Sequence, residues 1–270
     1  MSELLEIPVD GEPVIALEVG ATHGGFLDCL ELIDATKPAD AIKFQMIWAE
    51  TLHKRRVGHA ETMVYTDFYG EHEETLMALW RRRELPLSAW KAVARYAGET
   101  GVKWFATPDS PQTASAMAEM APSAVKVAGM DMADMDLVKE CCRLNVPVLL
   151  DSRAGSDDKL SEVLDVCEKQ GTLPVIVHTP TGYPSNDPNF LRVSDLRQRF
   201  PGVPVGFTSH QSEWQDCEHA IQMGATYIEK GLTRSSKRQG IEHIMSMEPS
   251  DVEPFVAFVK ESYAALLRIR

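Results

Sequence analysis

The stretch from Val14 to Gln45, VIALEVGATHGGFLDCLELIDATKPADAIKFQ, decides how the chain is read. It opens on a short apolar run ending in a carboxylate, Glu18, and turns into an amphipathic pattern over Phe26 to Thr36. It closes on a second short run, Ala41 to Gln45, which carries Lys43. Runs this brief, rich in Val and Ile and without clean two-residue alternation, read as strands buried on both faces. Strand, helix and strand in that order predict a parallel pair, because a crossover is needed to bring the chain back in the same direction.

The unit recurs along the chain. Runs at Lys103 to Ala106, Ala124 to Val127, Val148 to Asp151, Val175 to His178, Val205 to Thr208 and Thr226 to Glu229 complete a set of eight. Helical patterns lie between and after them: Leu87 to Thr100, Gln112 to Met120, Asp134 to Leu144, Asp157 to Lys169, Val193 to Phe200, Trp214 to Met223 and Asp251 to Leu267. Ser88, Ser110, Ser212 and Ser250 stand where helix N-caps belong. Eight βα units predict an α/β protein of the (β/α)8 TIM-barrel class, one domain over residues 1–270. Ile47 to Pro86 breaks the rhythm, far exceeding the ~2 to 6 residues of an ordinary βα loop. It reads as a long insertion after strand 2 with a helix over Glu71 to Arg83, a candidate lid or oligomer contact.

A net charge of −13 over 270 residues disfavours nucleic acid and anionic membrane as partners. No run approaches the ~20 apolar residues of a membrane helix. The acidic, Pro-containing start lacks the basic and apolar regions of a secretory signal, so a cytoplasmic location is expected. Five cysteines with no C-x-x-C spacing read as buried free thiols. The clusters Lys54, Arg55, Arg56 and Arg81, Arg82, Arg83 read as a solvated helix face in preference to a rim steering anions.

What ends each strand is more telling, because sites in this fold gather at the strands' carboxyl ends. There stand Glu18, Lys43 with Gln45, Thr107, Lys126, Asp151, His178, Thr208 with Ser209 and His210, and Glu229 with Lys230. His178 reads first as a core histidine bonded to a carbonyl. Two inward lysines, Lys43 and Lys126, need a bound anion or nearby carboxylates to compensate them. With the hydroxyls of Thr107 and Thr208 they suit a phosphate and a carboxylate held together.

The segments EVGATHGG (Glu18 to Gly25), IKFQ (Ile42 to Gln45), ATPDS (Ala106 to Ser110), VKVAG (Val125 to Gly129), HTPTGYP (His178 to Pro184), GFTSH (Gly206 to His210), GATYIEK (Gly224 to Lys230) and QGIEH (Gln239 to His243) are similar, in the same order, to the sialic acid synthase family. The resemblance covers the barrel and not the C-terminal antifreeze-like domain into which that family commonly continues. It implies a homodimeric synthase that condenses phosphoenolpyruvate with an aldose or other aldehyde to a 2-keto-3-deoxy sugar acid, aided by a divalent ion, manganese or magnesium. Carried over by position, Lys43, Thr107 and Lys126 hold phosphoenolpyruvate, with Asp151 at a phosphate-contact position and Thr208 and Ser209 among the substrate-binding residues. Gln45 and Tyr183 face the sugar, Glu18 orients water or the metal shell, Glu229 and Glu242 bind or polarise the acceptor, and His210 is a metal ligand.

The departures from that pattern are specific. The family's second metal histidine, in EKH, is Gly231; the serine of GSGE is Gly129, with Asp131 for the glutamate; LST reads LDS, placing Asp151 at the phosphate. Two alternatives therefore stand beside the synthase: a metal-independent Schiff-base aldolase or lyase using Lys126 or Lys43, and a non-catalytic sugar-acid-binding paralogue.

Overall fold

The computed structural model describes residues 3–56, 60–153 and 156–269. Strand β1 (Val14–Glu18) leads through helix α1 (Phe26–Thr36) to β2 (Ala41–Met46). The insertion follows as α2 (Ala49–Arg55), β3 (Thr62–Asp67), β4 (Gly70–Thr75) and α3 (Leu76–Arg81). The alternation resumes with α4 (Leu87–Thr100), β5 (Lys103–Pro108), α5 (Pro111–Met117), β6 (Val125–Val127), α6 (Met135–Cys142) and β7 (Val148–Asp151). It ends with α7 (Asp157–Lys169), β8 (Pro174–His178), α8 (Leu191–Arg199), β9 (Val205–Ser209), α9 (Gln215–Gln222), β10 (Tyr227–Gly231) and α10 (Val252–Ile269). Parallel pairing in the order β1-β10-β9-β8-β7-β6-β5-β2 closes the barrel, and β3 pairs with β4 alone.

The predicted helix over Glu71 to Arg83 is corrected by this hairpin. Glu71 to Thr75 pair antiparallel with β3, from Thr66↔Glu71 to Thr62↔Thr75, and the helix begins only at Leu76, capped by the Thr75 hydroxyl. The β-branched alternation in TMVYTD supplies a strand partner that outweighs the helix preference of the glutamates. Gly70, at φ 123°, and the Asp67 carboxylate, accepting from the Tyr69 amide at 2.8 Å, close the turn. Of the predicted caps, Ser110 holds, in a reciprocal pair with Thr113. Ser88 lies inside α4, while Trp214 and a single turn over Pro249–Asp251 stand ahead of α9 and α10.

Two apolar clusters share the strands. Alternate residues point inward, where Ala16, Phe105, Leu149, Val177 and Tyr227 fill the lumen and Leu5 packs against its floor. The outward set, including Leu17, Phe44, Val127, Ile176, Phe207 and Ile228, packs under the helices. All five cysteines are buried free thiols.

Candidate active site

The same parity that fills the lumen places the polar residues. Above the apolar layer, the inward position on each strand or just past its carboxyl end carries a polar side chain, and these enclose a cavity of ≈ 400 Å³. Glu18, Lys43, Gln45, Thr107, Lys126, Asp151, Tyr183, Thr208, His210, Glu229 and Glu242 all line it. Ser209 does not. It points outward, where its hydroxyl accepts from the buried Lys230 ammonium at 3.1 Å, because a strand turns its neighbours to opposite faces. Lys230 is a buried clasp that also donates to the carbonyls of Gln211 and Met245. His178 likewise faces outward, its Nε2 3.1 Å from the Pro188 carbonyl, as a core histidine should.

The two lysines meet on one oxygen. Glu229 Oε1 accepts from Lys126 Nζ at 2.7 Å and Lys43 Nζ at 3.2 Å, so the ammonium groups stand within about 6 Å of each other. Thr208 Oγ1 bonds both Lys126 Nζ and Glu229 Oε1 at 3.3 Å, and the Tyr227 hydroxyl donates to Oε2 at 2.7 Å. Glu18 pairs with Lys43 and accepts the Gly20 amide at 2.6 Å. Desolvation raises the Glu229 carboxyl, but Lys126 and Lys43 outweigh it and hold the group well below the usual carboxylate range. Burial brings Lys43 down to about 8 despite the attraction of Glu229. Burial pushes Glu242 upward, against the pull of Arg83 and Lys43.

Arg153, which the strand pattern did not reveal, completes the rim. Its backbone amide donates to Asp151 Oδ1 at 2.9 Å, its guanidinium lies 3.6 Å from the same carboxylate, and Nη1 donates to the Tyr183 hydroxyl at 2.8 Å. The Asp151 carboxylate is thus neutralised locally, and a third cation joins the lysines. Tyr227 was missed as well, since an aromatic residue in an apolar strand reads as core; its position two residues before Glu229 was the available signal.

The basic clusters of the insertion divide: Lys54, Arg81 and Arg82 are exposed, as a solvated face would be, and the first cluster's two arginines are the correction. Arg55 and Arg56 are not a solvated face: Arg56 holds both oxygens of buried Asp131 at 2.8 and 2.9 Å, and Arg55 bonds Asp134 at 2.6 Å. Arg81 and Arg82 pair with Glu50 and Glu74.

For a divalent ion the donor set is poor. Among the described residues no three His, Cys, Asp or Glu side chains converge as ligands. Burial and the charges of Arg153, Lys126 and Lys43 take His210 down to about 3, so the imidazole is neutral, but the same cations repel a metal. Glu18 and Glu229, which line the same cavity, are engaged by lysines. At Gly231 a Cβ would lie 2.4 Å from Ser246 Oγ, so the space for a side chain there is occupied. The residues present do not fit a resident divalent ion.

Comparison with known proteins bears on the fold and the family. The spore coat polysaccharide biosynthesis protein SpsE of Bacillus subtilis is 26% identical over 265 residues, covering 95% of this chain and 69% of that protein. The N,N'-diacetyllegionaminic acid synthase of Campylobacter jejuni is 23% identical over 261 residues, covering 94% and 77%. The N-acetylneuraminic acid synthetase of Leptospira borgpetersenii, solved with citrate, superposes with a TM-score of 0.84 at 23% identity over 97% of this chain and 88% of that one. The NeuB family model matches residues 32–269, so the chain belongs to the NeuB family.

Proposed function

We propose that this chain condenses phosphoenolpyruvate with the aldehyde carbon of an aldose, giving a 2-keto-3-deoxy sugar acid and inorganic phosphate. One observation carries the reading: two buried ammonium groups converge on a single carboxylate oxygen at the carboxyl ends of the strands. A small anion with two charged ends can exchange for those carboxylate contacts, with charge-assisted hydrogen bonds worth roughly 1.5 to 3 kcal/mol each.

In this reading Lys43, Lys126 and Thr107 bind phosphoenolpyruvate, and Arg153, already balanced by Asp151, adds a guanidinium at the phosphate side. Gln45 and Tyr183 orient the sugar. Glu242, which burial biases toward its protonated form, donates a hydrogen bond to the aldehyde oxygen and gives up its proton as C3 of phosphoenolpyruvate bonds to the aldehyde carbon. Glu18, anchored by the Gly20 amide, directs water to the C2 cation left by that bond and takes one of its protons; the second passes to the phosphate as the C2–O bond to it breaks, which leaves the ketone and inorganic phosphate. No step is routed through a metal. The same reading places the enzyme as a homodimer in the cytoplasm, a state that sedimentation would check.

The deciding experiment incubates the protein with phosphoenolpyruvate and a panel of aldoses, following phosphate release and titrating phosphoenolpyruvate by calorimetry. Turnover with at least one aldose is expected. Absence of both phosphate release and phosphoenolpyruvate binding sinks the proposal. Borohydride with pyruvate should leave the protein mass unchanged; a trapped adduct would mark imine chemistry instead.

A further inference from the structure

Beside the mouth lies a second cavity of ≈ 440 Å³, between the turn after β1, the end of the insertion and the loop after β10. Its lining is cationic in a chain of net charge −13. Arg82 is engaged by Glu74, and Arg238 by Asp28 at 2.6 Å. Arg83 is not paired with a carboxylate among the described residues: it makes one hydrogen bond, from Nε to the Leu79 carbonyl at 3.0 Å, which leaves both terminal nitrogens uncommitted. His23 shares the wall. It is 3% exposed, its ring packs edge-on to Phe44 and Trp90, and neither ring nitrogen has a hydrogen-bond partner. Buried polar atoms are as a rule hydrogen-bonded, so two such nitrogens beside an uncommitted guanidinium mark a place built for a polar guest. Burial also takes the imidazole down to about 4, so at neutral pH it offers one N–H without a charge of its own.

The cavity adjoins the acceptor side of the mouth. Glu242 faces the mouth while its neighbours Ile241 and His243 line the second cavity, and the charges of Arg83 and Glu242 act on each other. We infer that Arg83 and His23 form a subsite for an oxyanion on the end of the acceptor remote from its aldehyde, the ligand class being an aldose phosphate monoester. The inference rests on the condensing reading and specifies its acceptor.

The test separates the two. Phosphoenolpyruvate is titrated first, and inorganic phosphate is then titrated into the saturated protein. A second binding event is expected in the wild type. R83M should weaken it about ten- to hundredfold, the loss of one charge-assisted contact, while phosphoenolpyruvate affinity stays within twofold. R83K, which keeps a point charge, should retain part of it and guards against a folding artefact in R83M. With a phosphorylated and an unphosphorylated aldose, R83M should raise KM for the former alone. No phosphate binding to the saturated wild type, or equal loss for both sugars in R83M, overturns the inference. Failure of phosphoenolpyruvate to bind would sink the condensing reading, and phosphate titrated into the free wild type and R83M would still read the subsite.

Discussion

Lys43 carries a testable proton. With its free-enzyme value near 8, the ammonium that meets phosphoenolpyruvate is lost as pH rises through 8, so kcat/KM for that substrate should fall on the alkaline side, about tenfold per unit. The sign follows from the charged form being the binding form. K43R, permanently charged, should move this limb beyond pH 10. Lys126→Met should raise KM for phosphoenolpyruvate about ten- to hundredfold, as expected for one lost charge-assisted contact, and the steady-state rate law measures it. Because both anion contacts come from side chains, excess chelator should leave phosphoenolpyruvate affinity within twofold by calorimetry; a larger loss would show a metal in the binding step. At this scale the site was legible wherever strand parity governs: Lys43, Lys126, Thr208 and Glu229 all fall on inward positions. Parity also explains Ser209, which the adjacent Thr208 obscured. Arg153 was illegible because beyond β7 a turn, not the pleat, sets side-chain direction.

Among the elements, the insertion is tied to the barrel by ion pairs that composition hid. Arg55 and Arg56 on and after α2 reach Asp131 and Asp134 in the turn between β6 and α6. Asp131→Asn leaves Arg56 facing one weak acceptor while Arg55 keeps Asp134, and should cost about 1–3 kcal/mol, with the melting temperature falling about 2–4 °C per kcal/mol. Limited proteolysis should then find α2 and α3 more readily cut, whereas unchanged protection would show the clasp to be incidental. Strand and helix patterns of the repeated unit were legible because each buries one periodic face. The insertion was not, since its hairpin rests on pairing between distant residues, and the glutamates of β4 prefer helix in isolation.

For the molecule as a whole, three imidazoles set the acid limit. His23 and His243 sit near 4 and His210 near 3, all through burial first, against an ordinary value of 6.5. A histidine held neutral in the fold stabilises it fully above 6.5 and progressively less as pH falls toward its folded value, because the unfolded chain protonates first. Stability should therefore drop below pH 6.5, approaching about 4 kcal/mol per pH unit near pH 5 for the three together, readable from urea midpoints. Asp28, lowered to about 2 by Arg238 and Arg234 against its desolvation, extends the loss below pH 3.8. The raised carboxyls of Glu242, Asp109 and Asp131 offset part of it. A flat profile between pH 6.5 and 4.5 would contradict the buried, neutral state of all three rings.

The contact at Gly231 also couples two distant positions of the chain. Ser246 Oγ occupies the space a side chain at 231 needs while donating to the Glu242 carbonyl at 2.8 Å, in a turn where Glu242 adopts φ 72°. Installing an imidazole at 231 would dislodge that hydroxyl and loosen the backbone that presents Glu242. A side chain at 231 therefore needs a second change at 246, so G231H together with S246A should lower the melting temperature less than G231H alone.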